Sequence, residues 1–129
     1  GGALLAEFGI KICDLGVSQL ILFKEQSHPG RCIVAYKDHV SEIVNLTDEE
    51  RSAFFADVNR AANAIHKAFH PEKVNYGAYG DTGCHLHFHL VPKYRDGFEW
   101  GGVFAMNPKQ TYLTDEQYAE MIEKIKSNL

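Results

Sequence analysis

The stretch His85-Leu86-His87-Phe88-His89-Leu90-Val91 alternates imidazole with apolar side chain. Alternation with a period of two marks a half-buried strand, because residues i, i+2 and i+4 share one face. A strand over Cys84–Tyr94 is predicted, with His85, His87 and His89 on one face and Leu86, Phe88 and Leu90 on the other. The apolar face needs a cover, and the sequence supplies one upstream. Thr47-Asp-Glu-Glu50 is a capping-box pattern; after it Phe54, Phe55, Val58, Ala61, Ala62, Ile65 and Phe69 recur at steps of three and four. That stripe predicts a helix running to about His70, where Pro71 stops it. Val17–Lys24 and Arg31–Lys37 are β-branched and aromatic runs separated by Glu25–Gly30, a hairpin with a long turn. Asn75–Tyr79 reads as a short strand, Gly80–Gly83 as a turn, and Thr114-Asp-Glu-Gln117 opens a last helix. The order predicts an α+β fold, an antiparallel sheet with helices packed on it.

The rest of the chain bounds what this sheet can belong to. With 129 residues, 45% hydrophobic and 23% charged, it is expected to form one domain over 1–129 with an ordinary core. Residues 1–16 receive no role, and Gly1–Gly2 read as a processing or cloning remnant. A formal charge of −4 provides no basic field for a nucleic-acid polymer. Apolar runs of about five residues are too short for a membrane span or a signal-peptide core. Three cysteines without a C-x-x-C pair fit reduced thiols, hence a cytoplasmic protein.

Three of the seven histidines fall within five residues. A strand rises about 3.3 Å per residue, which sets neighbouring imidazoles roughly 6–7 Å apart. Such a row admits three readings: a solvated polar face, a metal site with an open position for water, or a nucleophilic imidazole. Crowded imidazoles resist charging together, which keeps one neutral near pH 7, and His87 has a neighbour on either side. His85 and His89 would then orient it and protonate the leaving group. Phosphoryl chemistry also needs donors for anionic oxygens. The segment before the triplet, Asn75 to Gly83, carries glycines at 77, 80 and 83 with Asn75 and Thr82. Its backbone N–H groups can form a phosphate-binding nest.

Together these residues resemble the histidine triad (HIT) superfamily of nucleotide hydrolases and transferases, in the bacterial diadenosine-tetraphosphate-hydrolase-like branch. The signature, histidine-apolar three times and a final apolar residue, is met at every position of His85–Val91. Pro29 to His39 also resembles the family's proline-glycine-histidine segment, and the likeness covers about Val17 to Tyr94, with 95–129 the variable tail. The resemblance implies a five-stranded antiparallel sheet with two main helices, a homodimer, and a small-molecule nucleotide substrate. It implies hydrolysis of a phosphoanhydride or phosphoramidate at the α-phosphate, through a nucleotidyl-histidine on His87 and without metal or other cofactor. Asn75, Thr82 and Gly83 correspond to its phosphate contacts. Two positions depart from the pattern. Arg31 replaces the family's fourth histidine, and its planar fork is expected to hold a phosphate. Asp81 stands where glutamine is usual. Glu25 is the expected acidic ribose anchor. Two alternatives stay open: a nucleotide-binding sensor or scaffold dimer with little activity, and a metal-dependent hydrolase using the triplet as ligands. His39 is assigned a structural hydrogen bond, His28, His66 and His70 no role, and Trp100 a place in the core, an interface or near the site.

Overall fold

A computed structural model describes residues 7–81 and 85–129. Strands β1 (Gly9–Asp14), β2 (Ser18–Phe23) and β3 (Cys32–Tyr36) precede helix α1 (Asp48–Phe69). Strands β4 (Lys73–Gly77) and β5 (His87–Lys93) follow, then helix α2 (Asp115–Lys126). The strands form one antiparallel sheet in the order β1-β2-β3-β5-β4. This is the expected α+β architecture with five strands and two helices.

Local chemistry places both helices. Thr47 Oγ1 accepts from Glu50 N at 3.1 Å while the Glu50 carboxylate accepts from Thr47 N at 2.8 Å, closing the box that starts α1. The helix ends at His70, which adopts a left-handed φ of 52° ahead of Pro71. Thr114 and Gln117 start α2 in the same way. Phe54, Val58, Ala61 and Ile65 are buried against Leu20, Leu22, Val34 and Leu90 of the sheet. Phe88 joins them, its ring 5.7 Å from that of Phe54 and 5.4 Å from that of Phe55. The apolar side of the histidine strand thus meets α1, as its alternation predicts.

Asp57, on the buried side of α1, ties the helix to the β1–β2 turn. Its carboxylate accepts from Gly16 N (3.1 Å), Val17 N (2.8 Å) and Ser18 Oγ (2.6 Å). Asp57→Ala removes the acceptor of three donors, of which the Ser18 hydroxyl is buried, and is expected to cost about 2 kcal/mol in urea unfolding. An unchanged midpoint would show that water replaces the carboxylate there.

The differences from the sequence reading have physical causes. Gly9–Asp14, assigned no role, is an edge strand with a bulge between Lys11 and Cys13. The bulge makes its buried positions recur every third residue, which removes the alternation that announces a strand. β4 lies two residues earlier than expected and β5 begins at His87. His85 and Leu86 precede it, and the expected start at Cys84 falls outside the described residues. Pro92 has no N–H to give; the β3–β5 ladder ends at Leu90, so no partner on that side asks for one. The long turn before β3 is knitted by Gln26, whose amide donates to Phe23 O and Arg31 O and accepts from Gly30 N. Gly30 has φ 94°, and a Cβ there would stand 2.6 Å from the Phe69 ring. No other residue fits that corner.

Candidate active site

Both helices pack on one face of the sheet. The other face carries Ile21, Phe23, Ile33 and Ala35, and His87 and His89 join it because they lie opposite Ala35 and Ile33 on β3. Their ring centroids are 5.4 Å apart. His85 does not complete the row. Its Nε2 lies 3.1 Å from His39 Nδ1, outside the strand, and the two rings meet edge to face. What His85 offers His87 is its main-chain carbonyl, 2.9 Å from His87 Nδ1. A carbonyl only accepts, so Nδ1 carries a proton, and it is the Nε2 of the neutral tautomer that holds the lone pair. His87 and His89 line a cleft of about 590 Å³ with an apolar floor of Phe23 and Ile33. Phe8 and Tyr112 add aromatic walls suited to a flat ring.

Arg31, expected as a phosphate fork, is fully buried beside this cleft. Its guanidinium lies 4.1 Å from the Phe23 ring centroid and 4.9 Å from that of Phe104. Nη1 donates to Ala105 O at 3.0 Å; Nη2 donates to Met106 O at 2.8 Å and to His89 Nδ1 at 3.0 Å. These partners, not a ligand, take its terminal nitrogens. Burial lowers its pKa to about 10, still charged at neutrality. Because guanidinium has no acceptor, His89 must hold its proton on Nε2. Burial, then the Arg31 charge and then His87, push the His89 pKa down to about 3.

Ala105 and Met106 belong to a strap, residues 99–112, that crosses the histidine face. Lys93 Nζ donates to Glu99 O and Gly102 O at its start. The Glu99 carboxylate meets His28 Nε2 at 2.7 Å, so His28 is a buried clasp rather than an idle turn residue. Phe104 packs against His89, with centroids 6.1 Å apart. Glu25 ties the far end. Its carboxylate accepts from Gln110 N, Thr111 N, Ser27 N and the Ser27 hydroxyl. Glu25 also lines the cleft; its Oε2 takes three of these bonds and its Oε1 only the one from Ser27 N. Burial alone would raise its pKa, yet the Ser27, Thr111 and Gln110 hydrogen bonds outweigh that and leave it lowered. The strap supplies Met106, Asn107 and Lys109 to the cleft. Nothing local announces this strap, since loop residues without periodicity carry no positional signal.

Of the expected phosphate contacts, Thr82 and Gly83 lie outside the described residues. Asn75 is correctly a strand residue, but it pairs with Val91 while Gly77 faces His89. Asn75 is therefore four residues along the ladder from His87, roughly 13 Å away. It lines a separate depression with Lys93 and Trp100. Asp81 is exposed, and Trp100 stacks with Arg95 rather than approaching the histidines. Among the described residues no three His, Cys, Asp or Glu side chains converge as metal ligands. A guanidinium against His89 also opposes a cation at that ring.

His28 and His89 are both held below their ordinary value of 6.5, chiefly by burial. The unfolded chain then binds protons that the folded chain refuses. Their contribution to stability is full above pH 6.5 and falls with pH toward the folded values, about 3 for His89. Glu25, lowered from 4.5, adds a further loss below that pH. Urea midpoints are expected to drop between pH 7 and pH 5, before carboxylates titrate. A flat midpoint over that range would contradict the neutral histidines.

The HIT domain profile matches residues 12–96. The chain is 24% identical over 127 residues to the adenosine 5'-monophosphoramidase hnt1 of Schizosaccharomyces pombe, covering 93% of this chain and 88% of that protein. It is 33% identical over 81 residues to the AP-4-A phosphorylase of Mycobacterium tuberculosis, covering 58% of this chain but only 38% of that one. A crystal structure of a histidine triad protein from Sinorhizobium meliloti 1021 superposes with a TM-score of 0.91 at 26% identity, covering 98% and 94% of the two chains.

Proposed function

The chain belongs to the HIT domain family, and from that premise we propose that it is a nucleotide-binding hydrolase. It cleaves a phosphoanhydride or phosphoramidate bond at the α-phosphate of a nucleotide, by way of a nucleotidyl-histidine on His87. One observation carries this reading: His87 Nδ1 is held 2.9 Å from the His85 carbonyl, which leaves Nε2 as an unprotonated nucleophile in the cleft. In the first step the Nε2 lone pair forms a bond to the α-phosphorus and the bond to the leaving group breaks. The imidazole, now bonded at Nε2 and still protonated at Nδ1, carries a positive charge that the His85 carbonyl stabilises. The His89 Nε2–H supports a non-bridging phosphate oxygen as charge develops there. Water then attacks phosphorus, the P–N bond breaks with its electron pair returning to Nε2, and the water gives up one proton to solvent. Apolar Phe23 and Ile33 with aromatic Phe8 suit the nucleobase end of the substrate.

Mass spectrometry of the acid-free, rapidly mixed protein with an adenylated substrate tests the intermediate. A nucleotidyl mass on the peptide carrying His87 is expected. Tight nucleotide binding with no adduct and no turnover would favour a sensor or scaffold instead. Full activity after exhaustive chelation is expected; loss of activity restored by metal would favour the metal-dependent alternative.

We read the protein further as a cytoplasmic homodimer. β4 is a sheet edge and presents the exposed Tyr76, a surface that a second copy can extend. Cys13 and Cys32 are free thiols, in keeping with a reducing compartment. Among the described residues no helix is long and apolar enough to cross a membrane. Sedimentation at micromolar concentration distinguishes dimer from monomer.

A further inference from the structure

We infer that Arg31 fixes His89 as a neutral hydrogen-bond donor, and so suits the site to phosphoanhydrides, whose leaving group departs as an anion, over phosphoramidates, whose leaving amine needs a proton. The inference rests on the hydrolase reading above and narrows its substrate class. Arg31 is a positioning residue here, acting only through His89.

Arg31 Nη2 stands 3.0 Å from His89 Nδ1, and guanidinium can only donate. Its placement is over-determined by two strap carbonyls and two flanking aromatic rings. His89 itself is almost wholly buried. To act as an acid it would have to release Nε2–H and become an imidazolate. Otherwise it would first have to gain a proton at Nδ1, which already receives a donor from a cation. The charges acting on the His89 ring are those of Arg31 and, whenever it is protonated, His87, and both oppose protonation. Phe23 and Phe104, the other rings on it, are uncharged. Glu25 and Glu99 act on Arg31 and keep it charged, as does Tyr79 when ionised. Glu7, Lys24 and Lys109 also line the cleft.

The two bond types then part company. When His87 Nε2 displaces a phosphate or nucleotide, the P–O electron pair moves to an oxygen that leaves as an anion, and no proton is required. When it displaces an amine, the P–N pair moves to a nitrogen that must be protonated to leave. His89 has no proton to spare for it. The His89 Nε2–H serves both substrates equally as a donor to a non-bridging oxygen.

Nitrogen-15 spectra of the full chain and a ratio of kcat/KM values test this together. Wild type is expected to show His89 as the neutral Nε2–H form from pH 8 to about pH 5, and to favour diadenosine tetraphosphate over adenosine phosphoramidate by at least about tenfold. Arg31→Met keeps the buried stem but removes donor and charge. It is expected to bring the His89 titration into that range and to shift the ratio at least about fivefold toward the phosphoramidate. Arg31→Lys should restore the neutral form and the wild-type ratio. The inference is overturned if wild-type His89 is protonated or carries its proton on Nδ1 near neutrality. It is equally overturned by a wild-type preference for the phosphoramidate, or by Arg31→Met freeing His89 without moving the ratio. If Arg31→Met does not fold, the wild-type spectrum and ratio still decide. Failure of the hydrolase reading looks different: no turnover of either substrate and no His87 adduct.

Discussion

Replacing His87 with alanine is expected to lower kcat/KM toward an adenylated dinucleotide by roughly four orders of magnitude, the scale on which removal of a covalent nucleophile acts. The fold should survive, because His87 is half-buried at the first position of β5 and its side chain holds no other element in place. The informative comparison is His85→Ala. The imidazole of His85 faces His39, and only its main-chain carbonyl reaches His87. Its loss is expected to cost no more than about tenfold, far less than loss of any group that bonds phosphorus. Steady-state rates of the two variants, with the adduct mass read in parallel, check both. Equal losses would mean that the imidazole of His85 takes part in the reaction.

The second large effect is expected at Glu25. Four donors converge on its carboxylate, and two of them, the amides of Gln110 and Thr111, come from the strap. Glu25→Ala removes the buried acceptor that all four share while water can still reach the strap amides, at a cost of about 2 kcal/mol in urea unfolding. It also frees the end of the strap that brings Met106, Asn107 and Lys109 to the cleft. KM should therefore rise several-fold while the His87 adduct still forms. Cleavage by a protease added at low level should appear near residues 105–111 in the variant and not in wild type. Unchanged stability would show that the strap is held elsewhere, by the Glu99–His28 clasp.

How far the sequence spoke depends on the kind of information asked of it. The capping boxes at Thr47 and Thr114 and the stripe from Phe54 to Ile65 are local and periodic, and they place both helices to within a residue or two. The alternation from Leu86 to Leu90 names the face that meets α1. β1 escaped because its bulge breaks the period. The pairing of Asn75 with Val91 was not legible because register is a property of two strands, and β4 carries no mark of where on β5 it will pair. Arg31 shows the deepest limit. As a residue type it suits phosphate, and only the approach of Ala105 and Met106, over seventy positions away, turns its fork inward. The ties from Glu25 to Gln110 and Thr111 were hidden for the same reason, since those partners lie far along the chain in the strap.

The two cleft histidines owe their proton positions to different kinds of atom. The acceptor for His87 is a peptide oxygen, and every residue at position 85 supplies one. The donor for His89 is a side chain that one base change can remove. Random mutation therefore cannot easily move the proton on the first ring, whereas the second is exposed to it at a single codon. Drift at position 31 offers such a lineage a way to retune its choice of leaving group while the nucleophile stays as it was.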